Sequence, residues 1–325
     1  MTDDFTEWLK QIGMCVKVNE PLASYTTFKI GGPADNFFEA KTRDEFVGAV
    51  IAARKSHISY FVLGGGSNLL ISDAGFRGLV IKNATNAITI RGMKGAIKNG
   101  EQNGSVYVEA DAGTPFNSLV RFKIEEGLAG LEMHLGLPGS VGGAIFMNSK
   151  WTKPPAYVGD VVSQVILLDI TNTIVMKPKE FFHFSYGKSV IQESGEIVLG
   201  VLFELTRQSK DEIWKRANES IAYRRSTQPQ GVKTAGCAFK NISQADAIAA
   251  GTPNQTRSAG FLIDHAGGKQ MHVGDAAVSS VHANFIVNTG KATAHDVLQL
   301  KQMIKQKVFE TFHVTLQEEL VVLGA

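Results

Sequence analysis

The segment Ala235-Gly236-Cys237-Ala238-Phe239-Lys240-Asn241 sets a thiol between small, flexible residues and follows it with an ammonium and an amide. A thiol so placed can donate a proton, attack an electrophile or simply pack. Its reference pKa of about 8.5 makes it a readier proton donor than an alcohol, whereas a lone cysteine is most often a small buried side chain. Cys15, outside every motif, is expected to be of that buried, structural kind.

Glycine-rich turns are the second source of chemistry. Gly64-Gly65-Gly66-Ser67-Asn68 and Gly136-Leu137-Pro138-Gly139-Ser140-Val141-Gly142-Gly143 each follow an apolar segment, with Ala110-Asp111-Ala112-Gly113-Thr114 between them. Glycine admits positive φ and lets backbone N–H groups converge on an anion. One such run is usually a tight corner, but several together can line an extended, phosphate-bearing cofactor. A Rossmann site is a poor fit, because Leu69 stands where the third fingerprint glycine belongs and no βαβ unit surrounds it. Gly187-Lys188-Ser189 ends like a P-loop, yet Phe182 occupies the position of its first glycine.

These residues need elements to hold them. A strand is expected over 35–40 and a helix over 42–57, with Thr42 as cap, acidic residues in the first turn and basic ones at the end. Strands follow over 60–63, 79–82, 88–91 and 106–110, with a helix over 115–126 that has Pro in its first turn. The polar, Gly-bearing stretch 94–104 reads as a long hairpin loop. Strands are expected over 165–170, 173–176, 197–206 and 284–288, helices over 211–225, 258–265 and 294–312, and a closing strand over 319–323. The pattern is α+β, without a steady βαβ alternation.

Composition narrows the partners. The chain has 325 residues and a formal net charge of +2, which gives no electrostatic case for nucleic acid or a membrane surface. Lys301, Lys305 and Lys307, at helical spacing, read as a solvated helix face. Two cysteines cannot frame a disulfide scaffold, and Asp264-His265 and His272 lack the companions a metal site needs. There is no apolar stretch near the ~20 residues that span a bilayer, and Met1-Thr2-Asp3-Asp4 does not open like a signal peptide. A soluble, cytoplasmic protein without a metal is expected.

Six pieces in order resemble one family. Tyr25-Thr26-Thr27-Phe28-Lys29-Ile30-Gly31-Gly32-Pro33-Ala34-Asp35, residues 63–70 and residues 136–143 look like the flavin-binding half of the UDP-N-acetylenolpyruvoylglucosamine reductase (MurB) family. Residues 237–241, Val278-Ser279-Ser280-Val281-His282-Ala283-Asn284-Phe285-Ile286-Val287-Asn288 and residues 316–324 look like its substrate half. The resemblance implies a vanillyl-alcohol-oxidase (PCMH)-type FAD-binding fold of two subdomains, 1–85 and 86–210. A C-terminal α+β substrate-binding domain, 211–325, would follow, its final strand free to return to the FAD half.

The resemblance also implies the reaction. NADPH would reduce a non-covalent FAD, which passes hydride to the vinyl carbon of a UDP-linked enolpyruvyl sugar ether while a protein acid protonates the neighbouring carbon, a step of peptidoglycan precursor synthesis. A monomer with this UDP-sugar as its partner is expected. The cofactor contacts carried over are Gly64, Gly65, Gly66, Ser67, Asn68, Leu69, Ala112, Gly113, Pro138, Gly139, Ser140, Gly142 and Gly143. For substrate they are Tyr186, Arg225, Lys240 and Asn241.

The family's proton donor is usually serine; here that position is Cys237. Glu319 in Leu316-Gln317-Glu318-Glu319-Leu320 falls on the family's catalytic carboxylate, and Glu318 would face the other way on a strand. The family arginine of Phe-x-Tyr-Arg-x-Ser is missing, because this chain reads Phe184-Ser185-Tyr186-Gly187-Lys188-Ser189. Lys188 is the nearest substitute, but it would point away if the segment is extended, and an ammonium cannot copy arginine's bidentate fork. Residues 149–155 are longer and more basic than the family's turn. They read as a surface loop, or as a carrier of Lys150 or Lys153 toward the site. Two rival functions remain, a catalytically impaired nucleotide-sugar or FAD binder and another flavin oxidoreductase. Many flavin oxidases of this fold tether the cofactor through a histidine in the glycine turns, and this chain has none in 63–70 or 136–143.

Overall fold

The computed structural model describes residues 15–98 and 101–324. Its contacts group the described residues into two units, each built from separate segments: 15–17, 37–65 and 79–224 in the first, 18–36, 66–78 and 225–324 in the second.

In the first unit, six antiparallel strands form one sheet. The order runs Ile174–Pro178, Val162–Leu168, Ile197–Arg207, Glu101–Asp111 and Ile88–Lys98, with Leu128–Ala129 added along the 197–207 strand. Val201, Phe203 and Leu205 alternate along the central strand and are buried in one core with Phe116, Leu119, Val120 and Ile124 of the helix Phe116–Glu125. A smaller core forms under the helix Arg43–Lys55, whose Phe46, Ala49, Val50 and Ala53 recur at helical spacing and meet Leu79, Ile81, Ile166 and Leu199. That helix starts at a capping box: Thr42 accepts from the Glu45 N–H and Glu45 reaches back to the Thr42 N–H. Beside it Tyr60–Leu63 pairs in parallel with Leu79–Lys82.

In the second unit, Lys233–Cys237, Phe285–Asn288, Ala276–Val278 and His272–Val273 form an antiparallel sheet. The helix Ala294–Phe312 packs Val297, Leu300, Ile304 and Val308 into a core with Phe239, Leu262, Ile263 and Leu316. Its first turn is well served. Thr293 and Asp296 make a second capping box, and the Asp73 carboxylate accepts from the Ala294 and His295 N–H groups.

Five sequence expectations need correction. The 94–104 stretch is paired strand on both sides, with Gly95 opposite Gly104; residues 99 and 100 at its tip lie outside the described residues. The 149–155 stretch is a hairpin, with Lys150–Thr152 pairing Pro155–Tyr157. The closing strand begins at Val321, pairing in parallel with Leu69–Ile71. Lys301 is 1% exposed and bonded to Glu318 at 2.6 Å, so it belongs to the packed face of its helix. Cys15 is exposed.

Candidate active site

Within the first unit the predicted glycine turns come together. A Cβ placed on Gly65 would stand 2.5 Å from the Cα of Gly139, and one on Gly64 would stand 2.4 Å from the Ser140 Oγ. The two turns therefore touch through backbone, an approach that only glycine permits. Ala112 and Gly113 join them: the Gly142 N–H donates to the Ala112 carbonyl at 2.7 Å, and the Val141 N–H donates to Thr114 at 2.9 Å. Lys82, on the strand beside the first turn, donates from Nζ to the Gly64 carbonyl. Burial pushes its pKa down, with Glu39 opposing.

The backbone N–H groups of Gly64, Gly65, Gly139 and Ser140 donate to no described residue. Ser140 also caps the helix Val141–Phe146, its Oγ accepting from the Gly143 N–H at 3.3 Å. Unspent N–H groups, two on each of two touching turns, are donors of the kind from which an anion can accept.

The same short helix positions the turn that carries Tyr186. Ser189 Oγ and Gln192 Nε2 both donate to the Phe146 carbonyl, at 2.9 and 2.7 Å. Buried Asn148 accepts from the Gly159 N–H and donates to the Ser185 carbonyl, each at 3.0 Å. Ser185 to Lys188 is not extended. The two residues exchange backbone hydrogen bonds across a two-residue turn, and Gly187 sits at φ +64°. Lys188 is exposed at the end of that turn.

In the second unit the acid segment lies on a bulge. The register between Lys233–Cys237 and its partner strand slips between Thr234 and Cys237, with Gly236 at φ +82°. The Ala238 and Phe239 N–H groups are held by the Asn284 carbonyl and Asn284 Oδ1, at 2.8 and 3.0 Å. The Glu319 N–H donates to the Ala238 carbonyl at 2.9 Å, which sets the backbone of Glu319 beside that of Cys237. Asn68, expected at the cofactor, donates from Nδ2 to the Glu319 carbonyl at 3.1 Å. Thr27 braces the same region, donating from its N–H to Gly66 at 3.0 Å and from Oγ1 to Thr234 at 2.7 Å. Glu318 faces away and bonds Lys301, its pKa lowered because Lys301 and Lys305 outweigh the upward push of burial.

Other candidates divide. Asn241 Oδ1 accepts from the Ala259 N–H at 3.2 Å, at the start of the helix Ala259–His265. Lys240 is half-buried and Arg225 exposed. In the first unit Arg224, the neighbour of Arg225, lies 5.1 Å over the buried Trp151 ring. His282 is a packed histidine: its Nδ1 accepts from the Asn284 N–H at 3.2 Å, and burial pushes its pKa down.

Lys150 was one of two lysines left open by the sequence. Its ammonium stands 5.0 Å from the Tyr186 ring centre and 5.6 Å from that of Tyr157. The signal was present as an extra basic residue in a stretch that differs from the family. Lys82 gave no such signal.

Comparison with known proteins gives the class first. Residues 33–175 match the family described as "FAD binding domain", so the chain carries an FAD-binding domain on an α+β scaffold. Residues 228–323 match "UDP-N-acetylenolpyruvoylglucosamine reductase, C-terminal domain". The UDP-N-acetylenolpyruvoylglucosamine reductase of Desulforamulus reducens is 38% identical, over 95% of this chain and 94% of that protein. That of Desulfosudis oleivorans is 34% identical over 100% of both. The crystal structure of the Thermus caldophilus reductase superposes with a TM-score of 0.74 at 34% identity, covering 95% of this chain and 98% of that one. The chain belongs to the UDP-N-acetylenolpyruvoylglucosamine reductase (MurB) family.

Proposed function

We propose that this protein reduces the enolpyruvyl double bond of UDP-N-acetylglucosamine enolpyruvate to give UDP-N-acetylmuramate, with NADPH as reductant and non-covalent FAD as carrier. Family membership over the whole chain carries the reading. The unspent N–H groups of Gly64, Gly65, Gly139 and Ser140 suit the diphosphate of FAD. Bound flavin supplies the hydride that moves from NADPH to the substrate's vinyl carbon.

The chain's own residues do the rest. Cys237 gives its thiol proton to the carbon next to the carboxylate. Glu319, whose backbone is held by Ala238 and Asn68, is the carboxyl group that assists that acid in this reading. Tyr186, Arg225, Lys240 and Asn241 bind substrate. Functionally the chain divides into FAD-binding subdomains 1–85 and 86–210 and a substrate domain 211–325. The same reading makes it a cytoplasmic monomer of peptidoglycan precursor synthesis, with small-molecule partners only.

Purified protein tests this directly. Expected is a yellow, acid-releasable flavin that NADPH bleaches and the enolpyruvyl substrate reoxidises under anaerobic conditions. A colourless protein that takes up no FAD would contradict it.

A further inference from the structure

Adding hydride to a double bond conjugated with a carboxylate drives negative charge onto that carboxylate, so a fixed cation there lowers the barrier. In this chain the family's arginine position is Gly187, in a turn at φ +64° where any side chain is strained. Lys188 closes the turn and faces solvent. The missing charge has to come from another element.

The Lys150–Tyr157 hairpin brings one. Lys150 and Tyr157 are cross-strand partners, and the half-buried Lys150 ammonium lies against the rings of both Tyr157 and Tyr186. Aromatic faces attract a cation without neutralising it. Among the described residues Lys150 has no carboxylate within 4.0 Å and no hydrogen bond from Nζ, so its charge and all three donors remain available. The two fully buried lysines are spent: Lys123 on Glu132 at 2.8 Å and Lys301 on Glu318 at 2.6 Å.

The hairpin is also firmly held. Trp151 is 3% exposed, donates from Nε1 to the Lys153 carbonyl at 2.7 Å, and packs edge-on against Tyr223 at 5.8 Å. Arg224 lies over the Trp151 ring at 5.1 Å. Asn148, two residues before Lys150, is bonded to the turn that carries Tyr186. Cation and tyrosine are therefore fixed to one another by a short, buried route.

We propose that Lys150 supplies, from this hairpin, the positive charge that binds the substrate's carboxylate and stabilises it during reduction, replacing the arginine lost at Gly187. The proposal rests on the reductase reading above.

Anaerobic stopped-flow on the holoenzyme tests it by following two half-reactions, flavin reduction by NADPH and flavin reoxidation by UDP-N-acetylglucosamine enolpyruvate. Lys150→Met is expected to reduce its flavin normally and to reoxidise it about 10²–10³-fold more slowly, with weaker substrate binding. Lys150→Arg should recover most of the rate. Lys177→Met strips an ammonium from another ring, 5.1 Å from Phe181, and should change neither half-reaction. A Lys150→Met enzyme that reoxidises at the native rate overturns the proposal. So does loss of both half-reactions in Lys150→Met and Lys150→Arg alike, which would make Lys150 structural. If the native protein's reduced flavin is not reoxidised by this substrate, the reductase reading itself falls, and the proposal with it.

Discussion

In the cradle of Gly64, Gly65, Gly139 and Ser140 the donors are backbone N–H groups, whereas at Tyr186 the charge is brought by a side chain, the Lys150 ammonium against its ring. Both lie in the first unit, and both are positioned by the helix Val141–Phe146. They differ in what can replace what. A backbone donor belongs to its own peptide, so the cradle survives only where glycines let two turns touch. A charge on a flexible stem can arrive from any element within reach. That freedom lets an arginine position become Gly187 while an ammonium enters from a neighbouring hairpin. Backbone sites are conservative in place, and side-chain sites only in chemistry.

The comparison breaks most visibly at Gly65. Gly65→Val would put a branched side chain into the Gly139 backbone, 2.5 Å from where its Cβ must stand. The turns would have to part, and FAD binding should weaken by roughly a hundredfold or more. Absorbance at the flavin band after gel filtration reads this, and a variant that keeps its flavin as tightly as the native chain would remove the cradle from the account.

A smaller effect should come from the scaffold under the second turn. His134 is 1% exposed and packs edge-on to Phe116 at 6.0 Å, and its carbonyl accepts from the Leu137 N–H just inside the turn. Burial pushes its pKa down to about 4. The Ser149 backbone lies near enough to oppose this in part, yet among the described residues no hydrogen bond of good geometry reaches either ring nitrogen. The folded state therefore refuses a proton that the unfolded chain accepts near pH 6.5. Stability should be full above pH 6.5 and decline as pH falls toward 4, by roughly 3 kcal/mol in all. Urea unfolding across that range checks it. His134→Leu should flatten the decline, and an unchanged slope would show that another group titrates.

Much of the scaffold was legible because it is written locally. Thr42 as cap with an acidic turn after it announced one helix, and the helix at 294–312 and the strand at 60–63 have the bounds expected of them. The failures share a cause. The 94–104 and 150–157 strands carry polar residues, glycines and prolines, and their pairing rests on backbone bonds to a partner that composition does not reveal. Lys301 read as solvated because its partner, Glu318, lies 17 residues away on another segment. At the site, the glycine turns, Cys237 and Glu319 were legible as motifs. The contact of Gly65 with Gly139, the bracing of Glu319 by Asn68 and the approach of Lys150 to Tyr186 are tertiary, and nothing local encodes them.

The central claim is that Cys237 is the proton donor of a flavin-dependent reduction, and Cys237→Ala addresses it most directly. With the holoenzyme under anaerobic conditions, NADPH should bleach the flavin of this variant at the native rate. Reoxidation by UDP-N-acetylglucosamine enolpyruvate should be slower by about 10²–10⁴-fold, the usual worth of a positioned acid. Reoxidation at the native rate would contradict the account.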